Sequence, residues 1–70
     1  MRISARNQWH GTVQSVKSGG VMAEVVVQLR GGQEVAAAIT LQSAQQLGLV
    51  EGKSVTVLVK STEVMLAVDD

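Results

Sequence analysis

The chain contains no cysteine, which excludes disulfides, thiolate metal sites and thiol catalysis. It has a single histidine, His10, so no histidine cluster can form. Trp9 is its one aromatic residue, which leaves little bulky material for a core. Net charge is also lacking, because six basic residues balance six acidic ones. A dedicated nucleic-acid or membrane-surface binder needs a net basic field, and this chain has none. No stretch approaches the roughly 20 apolar residues of a membrane span. The opening Met1-Arg2-Ile3-Ser4-Ala5-Arg6-Asn7 lacks the apolar run of a secretory signal. The expectation is a cytoplasmic protein with no membrane partner.

What is present is a 70-residue chain, 46% apolar, that reads as one domain over residues 1–70. A domain of this size buries only about 60% of the surface of its unfolded chain. Disulfides and metals being absent from the sequence, self-association is the remaining support for so small a core. Thirteen residues are valine, whose branched Cβ suits a pleated sheet better than a helix. Glycine-bearing breaks at Ser18-Gly19-Gly20, Gly31-Gly32, Gly48 and Glu51-Gly52-Lys53 divide the chain into short runs. These breaks predict strands over Trp9–Lys17, Met22–Arg30, Glu34–Ile39, Ser54–Lys60 and Val64–Val68. Ala23, Val25, Val27 and Leu29 fall on one face and Glu24, Gln28 and Arg30 on the other. Val55, Val57 and Val59 repeat the pattern, as do Val35, Ala37 and Ile39.

One short helix is predicted over Leu41–Leu47. Thr40 is its N-cap, Gly48 suits the position just past its end, and Leu41, Ala44 and Leu47 share a face. Several strands are apolar on both sides: Ala36 and Ala38 oppose Val35 and Ile39, and Met65 and Ala67 oppose Val64, Leu66 and Val68. Val26 and Leu58 also fall on nominally outward faces. Burial on both sides, in contacts between subunits, accounts for this pattern better than scattered surface residues do.

No catalytic constellation is legible, so an enzyme is not expected. His10 has no acid partner at a fixed spacing, and the acidic residues are dispersed as solvated surface. Ser18-Gly19-Gly20 lacks the Lys-Ser/Thr pair and following helix of a phosphate loop, so it reads as a hairpin turn. Short hydroxyl and cationic residues do gather near element ends. Ser4 and Arg6 precede the first strand, Thr40 and Ser43 open the helix, and Lys60 and Ser61 close the fourth strand. Each has an ordinary reading as a cap, a turn residue or a surface charge. Taken together they suit a tetrahedral dianion. Two cations balance two negative charges, and four hydroxyls and backbone N–H groups at the helix start donate hydrogen bonds. Periodicity alone does not bring the three segments together.

The runs Ile3-Ser4-Ala5-Arg6-Asn7-Gln8 with Gly11, Ala23-Glu24-Val25, Leu47-Gly48-Leu49, Gly52-Lys53 and Val59-Lys60-Ser61-Thr62-Glu63-Val64-Met65-Leu66 carry a resemblance over essentially the whole chain. It resembles the molbindins, the free-standing Mop-type form of the molybdate-binding domain. The resemblance implies an all-β, OB-like five-stranded antiparallel barrel with one short helix. It further implies a homohexamer, a trimer of dimers, that binds molybdate or tungstate between subunits by hydrogen bonds, with no cofactor and no direct metal coordination. The implied oxyanion site consists of Ser4, Arg6, Thr40, Ser43, Lys60 and Ser61, and a second class of sites lies on the threefold axis. The chain departs from the common family pattern at Met22, where asparagine is usual, and at Trp9, where leucine is usual. The expected role is intracellular molybdenum storage or homeostasis. An anion-responsive regulatory module docking on another protein is the alternative. An OB-like nucleic-acid binder is disfavoured, because it would need stacking aromatics in a basic groove.

Overall fold

Alternating valines form antiparallel strands in a computed structural model that describes residues 1–69. Four strands pair in the order β3-β2-β1-β4. They are β1 (Asn7–Ser18), β2 (Met22–Leu29), β3 (Glu34–Thr40) and β4 (Ser54–Val59), with helix α1 (Leu41–Gln46) between the last two. A single 3-10 turn, Ser61–Glu63, follows β4. The Ser18-Gly19-Gly20 break is the hairpin turn the sequence predicts, closed by the Gly19 N–H donating to the Met22 carbonyl at 2.8 Å.

A bulge in β1 fixes which side chains reach the core. Val13 pairs with Val27 but Ser15 pairs with Val26, so Gln14 is an extra residue. Val13 and Val16 are three apart, which a regular strand would place on opposite faces. The bulge resets the phase, and both pack into one cluster around Val13, Val25 and Val27. Leu29, Ile39, Leu49, Val55 and Val57 surround it half-buried. Fully burying a valine, leucine or isoleucine side chain contributes roughly 1.5–3 kcal/mol, and the half-buried ones contribute less. Only Val13, Ala23, Val25, Val27 and Ala44 are buried hydrophobics among the described residues, so the core of one protomer is small.

Two expectations need correction. The fifth strand, Val64–Val68, does not pair: after the 3-10 turn the chain runs on without strand partners, and Met65 and Leu66 are each 92% exposed. The barrel expected from five strands is therefore a four-stranded sheet with β3 and β4 as its edges. Alternating apolar residues favour extended backbone, but they do not say which edge supplies the hydrogen bonds. The second correction concerns α1. Ala44 is buried as expected, yet Leu47 is the C-cap and is 60% exposed. Gly48 beyond it has φ +64°, the left-handed conformation that glycine adopts without penalty.

Candidate functional site

The pairing of β1 with β4 assembles the first part of the site. Asn7 lies opposite Val59, so the segment entering β1 runs beside the segment leaving β4. The Asn7 side-chain amide donates to the Val59 carbonyl at 3.2 Å, and Gln8 Nε2 donates to the Ala5 carbonyl at 2.7 Å. These bonds hold the Ser4–Arg6 segment against the strand end. Lys60 precedes the 3-10 turn, and its carbonyl accepts from the Glu63 N–H at 2.9 Å. The outcome is a hollow of about 480 Å³ lined by Ser4, Arg6, Lys60 and Ser61 with Ile3, Ala5, Leu58 and Thr62. Four of the six expected residues meet there, including both cations. Among the described residues no carboxylate lines the hollow, so a dianion in it would meet donors rather than repulsion.

Thr40 and Ser43 form a separate unit. Thr40 is extended at φ −68°, ψ 147°, and its Oγ1 accepts from the Ser43 N–H at 3.0 Å. The Thr40 hydroxyl in turn donates to Ser43 Oγ at 2.7 Å, which leaves the Ser43 hydroxyl proton free to donate outward. This pair lies at the end of β3, across the sheet from β4, and it does not line the hollow. Within the chain the six residues are thus divided four and two. Five of them are exposed and Ser43 is half-buried, so neither part is a closed cage.

A larger hollow, about 540 Å³, lies over the middle of β1, lined by His10, Thr12, Gln28, Arg30, Ser54 and Thr56 among others. Thr56 Oγ1 and His10 Nδ1 are 3.3 Å apart within it. It is an open polar sheet face carrying one permanent cation, against two in the smaller hollow, and we give the smaller one precedence for an anion. Thr62, which also lines that smaller hollow, was not among the expected residues. Its place directly after Ser61 is the only sequence signal for it. No group of three or more His, Asp or Glu residues able to hold a metal ion occurs among the described residues. No helix among them is long and apolar enough to cross a membrane.

The TOBE domain profile matches residues 3–66. Molybdenum-pterin-binding protein 2 of Clostridium pasteurianum is 48% identical over 66 residues, covering 94% of this chain and 97% of that protein. The chain belongs to the molbindin family of TOBE domains. Among solved structures, a molybdate-binding protein from Sporomusa ovata superposes with a TM-score of 0.90 at 45% identity, covering 96% of this chain and 98% of that one. ModG, described as a cytoplasmic molybdate-binding protein, gives a TM-score of 0.82 at 44% identity. The match to ModG covers 94% of this chain but 53% of that one, so one molbindin domain corresponds to about half of ModG. The all-β architecture with one short helix is shared with these neighbours.

Proposed function

We propose that this molbindin binds molybdate or tungstate between copies of itself, in the cytoplasm, as a storage or homeostasis protein and not as an enzyme. The carrying observation is the division of the site. Among the described residues one hollow offers two cations and hydroxyls without a carboxylate, and the remaining hydroxyl pair stands at the other edge of the sheet. A second copy that brings its Thr40–Ser43 pair over this hollow would complete the six-donor set. The names of the relatives, which concern molybdenum and molybdate, support the choice of anion.

Self-association has independent physical support. The buried core is small, and Met65, Leu66 and Val68 stand 81–92% exposed beyond β4. Apolar side chains so exposed favour burial against another copy. The assembly we propose is a homohexamer arranged as a trimer of dimers, of about 44 kDa at 7.4 kDa per chain. Further oxyanion sites on its threefold axis belong to the same reading.

Native mass spectrometry with and without molybdate tests assembly and ligand together. The expected result is a six-chain species that gains molybdate, with tungstate displacing it from the same sites. A stable monomer at micromolar concentration, or molybdate binding that excess tungstate leaves untouched, would overturn the shared intersubunit site. Added sodium chloride is expected to weaken binding only modestly, because charges paired in a desolvated site are screened less than exposed ones.

A further inference from the structure

We infer that Lys53 is a positioning residue for the oxyanion site, acting through helix α1 on the Thr40–Ser43 pair; the inference rests on the proposed role of that pair. Lys53 belongs to the loop that leads into β4, and its side chain turns back to donate from Nζ to the Leu47 carbonyl at 2.7 Å. Leu47, the C-cap of α1, is bonded through both its backbone groups. Its N–H donates to the Ser43 carbonyl at 3.0 Å, while its own carbonyl is held by Lys53. Ser43 in turn is bonded to Thr40 through its N–H and its Oγ. A chain of neighbouring hydrogen bonds therefore runs from Lys53 through Leu47 to the two hydroxyls.

The helix needs such an anchor. It has six residues, no basic residue in its last turn and one buried side chain, Ala44. A helix this short is marginal without tertiary contacts; the Gly48 and Leu49 N–H groups meet the Gln45 and Ala44 carbonyls, and Lys53 meets the Leu47 carbonyl that follows. A cation near those carbonyls also interacts favourably with the helix dipole. Lys53 supplies that cation from outside the helix, and the loop carrying it is fixed to the sheet. The Val13 N–H donates to the Lys53 carbonyl at 2.9 Å and the Gly52 N–H to the Val13 carbonyl at 2.8 Å, next to the β1 bulge. Gly48 leaves room for the contact, since a Cβ at that position would lie 3.2 Å from Lys53 Nζ. The ammonium thus ties the end of α1 to the rigid middle of the sheet, and the helix has too few turns to absorb a loosened end before the Thr40–Ser43 pair.

The test compares Lys53→Met, which keeps the apolar stem, with Lys53→Arg, which keeps the charge. Hydrogen exchange of the anion-free protein comes first, because it does not depend on molybdate binding. Lys53→Met is expected to speed exchange of the Ser43 and Leu47 amides several-fold, with the Val25 and Val27 amides unchanged. Unchanged exchange at Ser43 and Leu47 would overturn the inference whatever the ligand. Calorimetric titration with molybdate is then expected to show affinity reduced about three- to fivefold in Lys53→Met and largely restored in Lys53→Arg. In a Ser43→Ala background the same Lys53→Met change is expected to cost less than twofold. An equal loss in both backgrounds would mean that Lys53 acts elsewhere, by direct contact with the anion for example. A lowered melting temperature with unchanged affinity would reduce it to a structural contact. If wild-type protein takes up no molybdate, the proposed function fails, and the exchange result still decides whether Lys53 holds the helix.

Discussion

Lys60→Ala is expected to weaken molybdate binding by roughly a hundredfold or more while leaving the fold intact. Lys60 follows the last residue of β4, is exposed, and its side chain makes no hydrogen bond or ion pair among the described residues. Surface substitutions of that kind alter stability by about 0.5 kcal/mol or less. In the proposed site its role is the charge balance of the hollow, which Lys60 and Arg6 both line. With both cations present a dianion is neutralised, and with one removed it is left half compensated. Removing one member of a buried charged pair costs about 3–5 kcal/mol, and each 1.4 kcal/mol is tenfold in affinity. Titration of purified Lys60→Ala beside wild type, with the assembly checked by native mass spectrometry, reads this directly. Affinities within a factor of two would remove Lys60 from the site and weaken the assignment of the other five residues with it.

Gly11→Ala is expected to cost about 2 kcal/mol of stability, through a mechanism unrelated to the anion. Gly11 lies where β1 is paired on both sides, opposite Leu29 of β2 and Val55 of β4. A Cβ there would sit 2.6 Å from Val27 Cγ1 and 2.7 Å from the Gln28 backbone oxygen. Val27 belongs to the core cluster and the Gln28 oxygen to a paired strand, so neither can move away cheaply. For a domain of this size, about 2 kcal/mol corresponds to a fall in melting temperature of roughly 8–16 °C. Gly20→Ala is the control. A Cβ at Gly20 meets nothing within 4 Å, and melting there is expected to stay within about 3 °C of wild type. Equal melting of the two variants would show that the strands at Gly11 are less tightly crossed than described.

The elements legible in the sequence were those specified by their own residues. Met22–Leu29 and Ser54–Val59 alternate apart from Val26 and Leu58 and became strands within a residue or so of expectation. Thr40 capped α1 because a short hydroxyl before an apolar stretch can reach the Ser43 N–H from an extended backbone. What stayed hidden depended on partners in space. Gln14 carries no mark of a bulge, since a bulge is a property of the paired strand, and only the Val13–Val16 spacing hinted at it. Val64–Val68 reads as a strand from composition, but composition does not supply an edge. Ser4, Arg6, Lys60 and Ser61 could be chosen by chemistry and by family resemblance, whereas their meeting in one hollow follows from the Asn7–Val59 register. In the sequence Lys53 stands out only as the partner of Gly52 in the Gly52-Lys53 pair. Its contact with the Leu47 carbonyl arises because the loop at Gly52, with φ +91°, returns the chain beneath the helix.

The open sheet has a consequence for newly made and refolding chains. Each edge strand offers a row of backbone donors and acceptors that any extended segment can use. Natural edges are commonly blunted by charge, yet β4 (Ser54–Val59) contains no charged residue and β3 (Glu34–Thr40) has only Glu34. In the proposed assembly a lone protomer is poised between docking on the correct surface and templating disordered stacks, and chain concentration accelerates both routes. Refolding from denaturant should therefore give its best recovery at intermediate protein concentration. Variants that slow docking without unfolding the protomer should be lost to precipitation, not recovered as soluble single chains.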